Sequence, residues 1–377
     1  MKIDLEFREN QLLLNPRAPA ETAELFLKAW RELVEPHFAN HVGISTSGSS
    51  GDSAGRLILL SKEALESSAR AVNERFNSGP KDTWFKSLPS FHVGGLGILV
   101  RAKLSGAQVY EDDSEKWSAR HFYDQLLVSK ATLVSLVPTQ VFDLVQADLK
   151  APSSVRAVIV GGGRFEESLR LRAKDLGWPC LPSYGMTETC SQIATALSAD
   201  DPRLTLLSHA QARTNVDGRL MVKAPSLLSA QIIFEPEPRL IDPKIDGWFT
   251  AEDRALVEGS TLVIEGRIND FVKIGGEGVI ISRLEERLEE LKLRLCFASD
   301  AALVVAHDER LGAVIILLTT ASPEDTAHLI EQFSHGVAPF ERIREIKYVA
   351  EIPRSPLGKL LRGRALVLVG LRVPPEA

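Results

Sequence analysis

The chain has 377 residues, of which 44% are hydrophobic and 25% charged, and its formal net charge is −6. This composition indicates an ordinary globular protein with room for more than one domain, and the acidic balance argues against nucleic-acid binding. No apolar run is long enough to cross a bilayer, the start MKIDLEFREN lacks a signal-peptide core, and the three cysteines form no CxxC pair. We therefore expect a cytoplasmic protein without membrane insertion, disulfide framework or zinc site.

Helix-like and strand-like segments alternate along the first half of the chain. The predicted segments are a helix over 21–38, a strand at 42–44, a helix capped by Ser61, a loop at 88–95, a strand at 108–110, a helix at 118–129, a strand at 132–137, a helix from 139, a strand at 155–160 and a helix at 166–176. The helices are identified by apolar residues at helical spacing, such as Leu65, Ala69 and Val72. Strands that alternate with helices are typical of βαβ units, so we expect parallel sheets.

The character of the sequence changes after Ser191. Short strands separated by Gly, Pro and Asp dominate residues 217–265, which indicates an antiparallel or barrel-like subdomain. The later segments are a helix from Ile281, strands at 302–305 and 314–318, a helix at 323–333 and a strand at 346–349. We predict a large domain over 1–266, a hinge at 267–270 and a small α+β domain over 271–377.

A loop of small residues follows the strand at 42–44. It consists of Thr46, Ser47, Gly48, Ser49, Ser50 and Gly51. Consecutive backbone N–H groups without side-chain bulk can cradle a polyphosphate, and a position between a strand and a predicted helix favours that role over a flexible linker. The loop is not a Walker A motif, because no Lys-Ser/Thr follows a glycine at the required spacing.

Two further stretches are suited to a nucleotide. The strand at 155–160 ends in Gly161, Gly162 and Gly163, which allow a backbone edge to lie against a flat base, although the third glycine of a dinucleotide fingerprint is missing. The second stretch is Ser183, Tyr184, Gly185, Met186, Thr187 and Glu188. Its tyrosine can stack on a purine and Glu188 can hold Mg²⁺, whereas the plainer interpretation is a surface turn.

Three stretches of the second half carry charged residues. GWFTAED brings Asp253 to a strand end and Arg267 follows after a hairpin, so the two can clamp ribose hydroxyls or form a surface ion pair. GRINDFVKIGGEGV, residues 266–279, is rich in glycine and can approach a ligand closely. PRSPLGKLLR, residues 353–362, is a rigid turn that presents Lys359, and a lone loop lysine is usually a solvated charge.

The stretches TSGSSG, YGMTE, GRINDFVKIGGEGV and PRSPLGKLLR, in this order, resemble the adenylate-forming family of acyl-CoA synthetases, luciferases and amino-acid adenylation domains. The resemblance extends from Ile44 to Arg364. It implies an α/β fold with a large N-terminal domain of parallel sheets and helices, a β-rich subdomain and a small mobile α+β C-terminal domain, in an N-terminally shortened form. It also implies ATP, Mg²⁺ and coenzyme A as cofactors, a small carboxylic acid as substrate, and leaves a homodimer open.

The resemblance assigns roles to the motif residues. It implies that Tyr184 and its neighbours contact adenine, that Glu188 with Thr187 holds Mg²⁺, and that Asp253 and Arg267 bind the ribose. Lys359 then bridges the carboxylate and the α-phosphate while the acyl-adenylate forms.

The same resemblance concerns the segment around the hinge. The moving loop that it implies contains Lys273, Gly275 and Gly276, and either Asn269 or Asp270 is the pivot. The family continues its phosphate loop with Pro-Lys where this chain has Asp52 to Arg56, so Arg56 is the candidate for the role of that lysine.

Within the family, SLPSFHVGGLGI, VSLVPTQ and VKIGGEGV are most similar to the o-succinylbenzoate–CoA ligases of menaquinone biosynthesis. His92 lies in the first of these stretches, which borders the acyl pocket in the family, and it is either a catalytic residue or a satisfied polar one. The second carboxylate of such a substrate needs a cation, for which Arg101, Lys103 and Arg164 are unranked candidates. The alternatives are another aryl or fatty acyl-CoA ligase and a non-catalytic nucleotide-binding relative.

Overall fold

The computed structural model describes residues 3–6, 8–46, 55–112, 116–234, 237–267, 271–275, 277–355, 358 and 360–372. The chain separates into two compact units. The first is formed by Met1–Phe165 and Arg170–Glu265, and the second by Glu166–Leu169 and Gly266–Ala377. Within the described ranges, no helix has the length and apolar character needed to span a bilayer.

The first unit holds most of the strands. They are β1 (Gln11–Leu13), β2 (His41–Thr46), β3 (Arg56–Ser61), β4 (Thr83–Lys86), β5 (Gln108–Glu111), β6 (Leu133–Leu136), β7 (Ala157–Val160), β8 (Cys180–Met186), β9 (Ser191–Ala196), β10 (Leu204–Leu206), β11 (Gln211–Thr214), β12 (Arg219–Lys223), β13 (Ala230–Ile233), β14 (Arg239–Ile241), β15 (Phe249–Glu258) and β16 (Thr261–Arg267). The helices that accompany them are α1 (Ala20–Leu33), α2 (Lys62–Phe76), α3 (Val93–Ser105), α4 (Ala119–Ser129), α5 (Pro138–Gln146) and α6 (Glu167–Asp175), of which the first three residues of α6 are assigned to the second unit.

These strands form two sheets. The larger has the order β11-β12-β15-β16-β10-β9-β8-β7-β6-β4-β5, and the smaller has the order β1-β2-β3-β13-β14. Pairing is parallel from β5 to β8 and becomes antiparallel at β8–β9. Strands β6 and β7 are buried along their whole length, as parallel strands covered on both faces should be. The predicted α/β fold with parallel sheets is therefore confirmed.

Several local predictions are confirmed with their physical cause. The hydroxyl of Ser61 accepts a hydrogen bond from the Ala64 amide (3.1 Å), so Ser61 does cap α2. Leu65, Ala69 and Val72 form the buried face of that helix. The helical spacing in this segment therefore predicted both the helix and the face that it buries.

Three predictions need correction. The loop expected at 88–95 ends at His92, and its last three residues begin helix α3, which was not predicted; eight consecutive residues of this helix, 95–102, are buried, so it lacks the amphipathic pattern that indicates a helix. The Ser/Gly loop does not lead directly into the helix capped by Ser61, because strand β3, which was not predicted, lies between them and pairs with β2 so that Thr46 lies opposite Arg56. For 217–265 the antiparallel alternative is confirmed and the barrel-like one is wrong, because these strands pair antiparallel and join the two open sheets, and those described form no barrel.

The second unit is a small α+β structure. Its strands are β17 (Phe271–Ile274), β18 (Glu277–Ile280), β19 (Ala301–Asp308), β20 (Gly312–Thr319) and β21 (Ile343–Tyr348), and its helices are α7 (Ile281–Arg294), α8 (Pro323–Ser334) and α9 (Arg362–Leu368). Strands β19, β20 and β21 form one sheet and β17 pairs with β18. The core contains Leu284, Leu288 and Leu291 of α7, as the helical spacing predicts.

Candidate functional site

The predicted glycine turn and the tyrosine motif lie side by side. Strands β7 and β8 are parallel neighbours, with Val160 opposite Pro182, so Gly161 to Gly163 follow β7 next to Ser183. The Ser183 hydroxyl donates to the Val160 carbonyl (3.0 Å), and a Cβ atom on Gly161 would lie only 2.7 Å from that hydroxyl oxygen. A side chain at 161 would therefore displace the Ser183 hydroxyl from its bond to the Val160 carbonyl. In α/β sheets the carboxyl ends of parallel strands are the usual place for ligands.

A hydrogen bond joins two residues that the sequence separates widely. The phenol of Tyr184 on β8 donates to Oδ2 of Asp253 on β15 at 2.6 Å. The half-buried tyrosine ring and an acid that can accept from sugar hydroxyls thus lie together. This pair is suited to a nucleoside, because an aromatic ring can stack on the base and a carboxylate can accept hydrogen bonds from the ribose.

Thr187 and Glu188 lie in a tight turn between β8 and β9. Residues Thr187–Thr189 form one turn of 3₁₀ helix, and the Leu228 amide donates to the Glu188 carbonyl at 2.8 Å. Among the described residues, no group of three or more His, Cys, Asp or Glu is arranged to hold a metal. A single carboxylate suits Mg²⁺ that arrives with a polyphosphate, because Mg²⁺ keeps water and phosphate ligands and needs only one or two protein carboxylates.

The Ser/Gly loop connects two paired strands. Thr46 and Arg56 face each other at the ends of β2 and β3, while Ser47, Gly48, Ser49, Ser50 and Gly51 lie outside the described residues. Nη2 of Arg56 lies 3.2 Å from Oε1 of Glu252, the residue before Asp253. Arg56, the candidate for the role of the missing lysine, therefore forms an ion pair with the strand that carries Asp253, the candidate ribose acid.

His92 lies directly before helix α3. Its Nε2 atom is buried and has no hydrogen-bond partner among the described residues, and its ring packs 4.7 Å from that of Phe91. Burial lowers the pKa of His92 to about 4, so the imidazole is neutral at pH 7. A neutral imidazole with an unpaired nitrogen can bind or position a polar ligand atom, whereas it cannot supply a positive charge.

The three cations considered as partners of a second substrate carboxylate differ in their burial and in their contacts. Lys103 pairs with Glu6 at 2.7 Å, and Arg164 is exposed beside the glycine turn. Arg101 on α3 is only 2% exposed, its Nη2 donates to the Ser191 hydroxyl (3.1 Å), and its buried Nε has no hydrogen-bond partner in the part of the chain that the structure describes. Burial lowers the pKa of Arg101 to about 10, which leaves it charged at pH 7. Of the three, Arg101 is the buried cation that most needs a further partner.

The second unit contains the remaining predicted residues. Gly275, with φ +61°, lies in the β17–β18 hairpin, and its amide donates to Leu311. The side chains of Arg267 and Lys273, and residues Asn269, Asp270, Gly276 and Lys359, lie outside the described parts.

The turn that contains Lys359 is described on both sides of that residue. Arg354 binds both carboxylate oxygens of Asp300 (2.8 and 2.6 Å) and donates to the Gly358 carbonyl at 3.0 Å. The Leu361 amide also donates to the Pro353 carbonyl. No sequence signal pointed to Asp300, because the contact joins residues more than fifty positions apart.

Comparison with known proteins identifies relatives of this arrangement. The model of the family described as "AMP-binding enzyme" matches residues 42–220. A 2-succinylbenzoate–CoA ligase of Bacillus cereus is 30% identical over 349 residues, which cover 86% of this chain and 69% of that protein. The enzyme of the same name from Enterococcus faecalis is 26% identical over 340 residues, covering 85% and 67%.

Solved structures share the fold. The o-succinylbenzoate CoA synthetase from Bacillus subtilis in complex with its acyl-adenylate intermediate has a TM-score of 0.77 at 21% identity, covering 94% of this chain and 82% of that protein. The same enzyme in complex with ATP and magnesium ion has a TM-score of 0.68 at 21% identity, covering 86% and 69%. The chain belongs to the AMP-binding enzyme family, whose members include these adenylate-forming ligases.

Proposed function

We propose that the chain is a cytoplasmic ATP-dependent acid–CoA ligase that converts 2-succinylbenzoate into its CoA thioester for menaquinone biosynthesis. The names of the relatives at 26–30% identity support the reaction and the acid. The observation within the molecule that carries the proposal is the 2.6 Å hydrogen bond between Tyr184 and Asp253, beside the glycine turn after β7. It brings together two motifs that lie far apart in sequence and to which the proposal assigns the adenine and the ribose.

The first half-reaction forms the acyl-adenylate. A carboxylate oxygen of the acid attacks the α-phosphorus of ATP, and the bond to the β-phosphate breaks to release pyrophosphate. Tyr184 contacts the adenine, and Asp253 with Arg267 holds the ribose. Glu188 and Thr187 are the residues that would hold Mg²⁺, which neutralises phosphate charge when bound. Lys359 stabilises the negative charge that develops between the carboxylate and the α-phosphate.

The second half-reaction forms the thioester. The sulfur of coenzyme A attacks the acyl carbonyl carbon, the bond to the AMP oxygen breaks, and AMP leaves. We propose that the segment 267–270 is the hinge that exchanges Lys359 for the loop containing Lys273, Gly275 and Gly276. The division of the chain into compact units between Glu265 and Gly266 supports a hinge at this point. Rate would then depend on residues that only position the reacting groups.

The two carboxylates of the acid have different partners in this proposal. One is activated at the phosphate, and Arg101 is the proposed partner of the other, because it is a buried cation whose Nε lacks a hydrogen-bond partner among the described residues. His92, neutral and with an unpaired Nε2, is proposed to contact the acyl part of the substrate. A substrate that supplies a buried carboxylate to a buried guanidinium removes the cost of leaving that cation unpaired.

Pyrophosphate release tests the proposal. Purified protein is given MgATP and one acid from a panel that contains 2-succinylbenzoate, benzoate and a fatty acid, and Lys359→Ala is compared with the wild type. We expect release that depends on 2-succinylbenzoate and falls by about 10²–10³-fold in the variant, the usual loss when a charge-stabilising group is removed. Release with benzoate or the fatty acid alone would favour another acyl-CoA ligase. The absence of release with every acid would favour a nucleotide-binding protein without catalysis, an alternative raised by the missing loop lysine.

A further inference from the structure

The turn that carries Thr187 and Glu188 ends in strained backbone. Cys190 and Ser191 have φ angles of +53° and +92°, and two consecutive non-glycine residues with positive φ are uncommon. A Cβ atom on Gly185, across the hairpin, would collide with the Ser191 carbonyl oxygen, so the two strands approach as closely as glycine allows. Such a conformation persists only where the surrounding structure holds it.

Side chains from two helices hold this turn from outside. The hydroxyl of Ser68 on α2 donates to the Cys190 carbonyl (2.8 Å), and Nη2 of Arg101 on α3 donates to the Ser191 hydroxyl (3.1 Å). Within the turn, the Thr189 hydroxyl accepts from the Met186 amide at 3.0 Å and donates to the Ser191 carbonyl at 2.7 Å. Ser68, Thr189 and Cys190 are each at most 2% exposed, so these bonds form without competition from bulk water.

Ser68 is a polar residue in an apolar helix face. Its neighbours Leu65, Ala69 and Val72 belong to the buried face of α2, where alanine would pack without a polar cost. The hydroxyl has one carbonyl partner, and that carbonyl belongs to the first strained residue after Glu188. The buried serine therefore connects helix α2 to the strained turn in addition to packing within the helix face.

We propose that Ser68 is a positioning residue for the metal-binding turn. By fixing the Cys190 carbonyl, it holds the strained backbone that directs Glu188 toward Mg²⁺ bound with ATP. Ser68 itself touches neither nucleotide nor metal. This role rests on the proposed function, since it requires Glu188 to act on the metal that accompanies the polyphosphate.

The test separates metal-dependent from metal-independent nucleotide binding. The dissociation constants of ATP with saturating Mg²⁺, of ATP in EDTA and of AMP in EDTA are measured by calorimetry for the wild type, Ser68→Ala and Ser67→Ala. Ser67 is the matched control, because it precedes Ser68 on the same helix and is only half-buried. We expect Ser68→Ala to weaken MgATP binding by about tenfold, the lower range for loss of a residue that orients a metal ligand, with AMP binding unchanged. Ser67→Ala should match the wild type in both.

A second variant tests the role of strain. Ser191→Gly places glycine at the φ of +92°, which glycine adopts readily, but it also removes the hydroxyl that accepts from Arg101, so it is measured alone and together with Ser68→Ala. We expect Ser68→Ala to weaken MgATP binding less in the Ser191→Gly background than in the wild type. Equal weakening of MgATP and AMP binding in Ser68→Ala, or an undiminished effect of Ser68→Ala in the Ser191→Gly background, would overturn the inference. Ser68→Ala with wild-type MgATP affinity would overturn it too while leaving the proposed function intact. A wild type whose ATP affinity ignores Mg²⁺ would contradict the proposed function itself.

Discussion

The polar residues at the two ends of the parallel strands differ in how completely they are hydrogen-bonded within the protein. At the amino edge, Asp82 precedes β4 and binds Arg156, which precedes β7, through two contacts of 2.9 Å. The Thr132 hydroxyl and the Gly79 amide also donate to this carboxylate at 2.7 and 3.0 Å. Every oxygen of Asp82 therefore has partners within the protein.

The side of the sheet that carries the candidate site is different. Gly161 to Gly163 bring bare backbone to the end of β7, and His92, in the connection that follows β4, has a buried nitrogen without a hydrogen-bond partner among the described residues. A satisfied polar network stabilises a fold, whereas an unsatisfied buried group costs free energy unless a ligand pairs with it. We therefore expect substitutions at the amino edge to lower stability and substitutions on the opposite side, where the site is proposed, to weaken binding.

Among the substitutions that test this comparison, the largest effect is expected from Asp253→Ala. Removing the carboxylate deletes the proposed ribose acceptor and leaves the Tyr184 phenol without the partner described here. Loss of hydrogen bonds to a charged group costs about 1.5–3 kcal/mol, so the dissociation constant of AMP should rise by about 10–100-fold. Calorimetry measures the change, and thermal unfolding serves as the control. A variant that binds AMP like the wild type would remove Asp253 from the site.

Asp82→Asn should have the opposite profile. The hydrogen bond from Arg156 is the main cause that holds the pKa of Asp82 at about 2, below its ordinary 3.8, so ionised Asp82 stabilises the folded state. We expect the free energy of unfolding at pH 7 to fall by about 1–2 kcal/mol in urea titrations, with the dissociation constant of AMP unchanged. Weaker AMP binding in this variant would contradict the separation of the two edges.

The same substitution has a defined pH dependence. A depressed carboxyl pKa contributes stability that is complete above the unfolded value of 3.8 and disappears as the pH falls toward about 2. The difference in unfolding free energy between wild type and Asp82→Asn should therefore shrink across this window. A constant difference between pH 5 and pH 2 would mean that the lost stability does not come from the ion pair.

The smallest effect concerns two partly buried histidines, His92 and His209. Burial lowers the pKa of both His92 and His209 to about 4. Below pH 6.5 these histidines therefore bind protons in the unfolded chain but stay neutral in the folded chain. The free energy of unfolding should fall as the pH drops toward 4. His92→Gln and His209→Gln should each remove roughly 1 kcal/mol or less of this decline. Only His92→Gln should also raise the KM for the acid, because His209 binds Ser226 (3.0 Å) and has no proposed role in the site. Equal effects of the two variants on KM would rule out contact between His92 and the acid.

The sequence predicted elements whose residues signal their environment locally. Helices α2 and α7 bury one face and show it as regular spacing, and β6 and β7 are short apolar runs bounded by turns. Helix α3 and strand β3 were not predicted, because both are buried on nearly all sides and so lack the alternation of apolar and polar residues.

The residues of the candidate site also differ in whether a local sequence pattern predicts them. Contiguous motifs such as the glycines after β7 and the tyrosine stretch could be found by inspection. The contacts of Tyr184 with Asp253, of Ser68 with Cys190 and of Arg354 with Asp300 join residues 69, 122 and 54 positions apart. No local pattern encodes such pairs, because the fold alone brings their partners together.

The antiparallel pairing of Thr46 with Arg56 has a practical consequence for engineering. The hairpin closes at that pair, so residues 47–55 can be exchanged as a cassette without shifting the register of either strand. A loop that restores the family's lysine can therefore be grafted there while Arg56 keeps its contact with Glu252. The chain therefore offers an unchanged framework on which alternative sequences for the proposed phosphate loop can be compared.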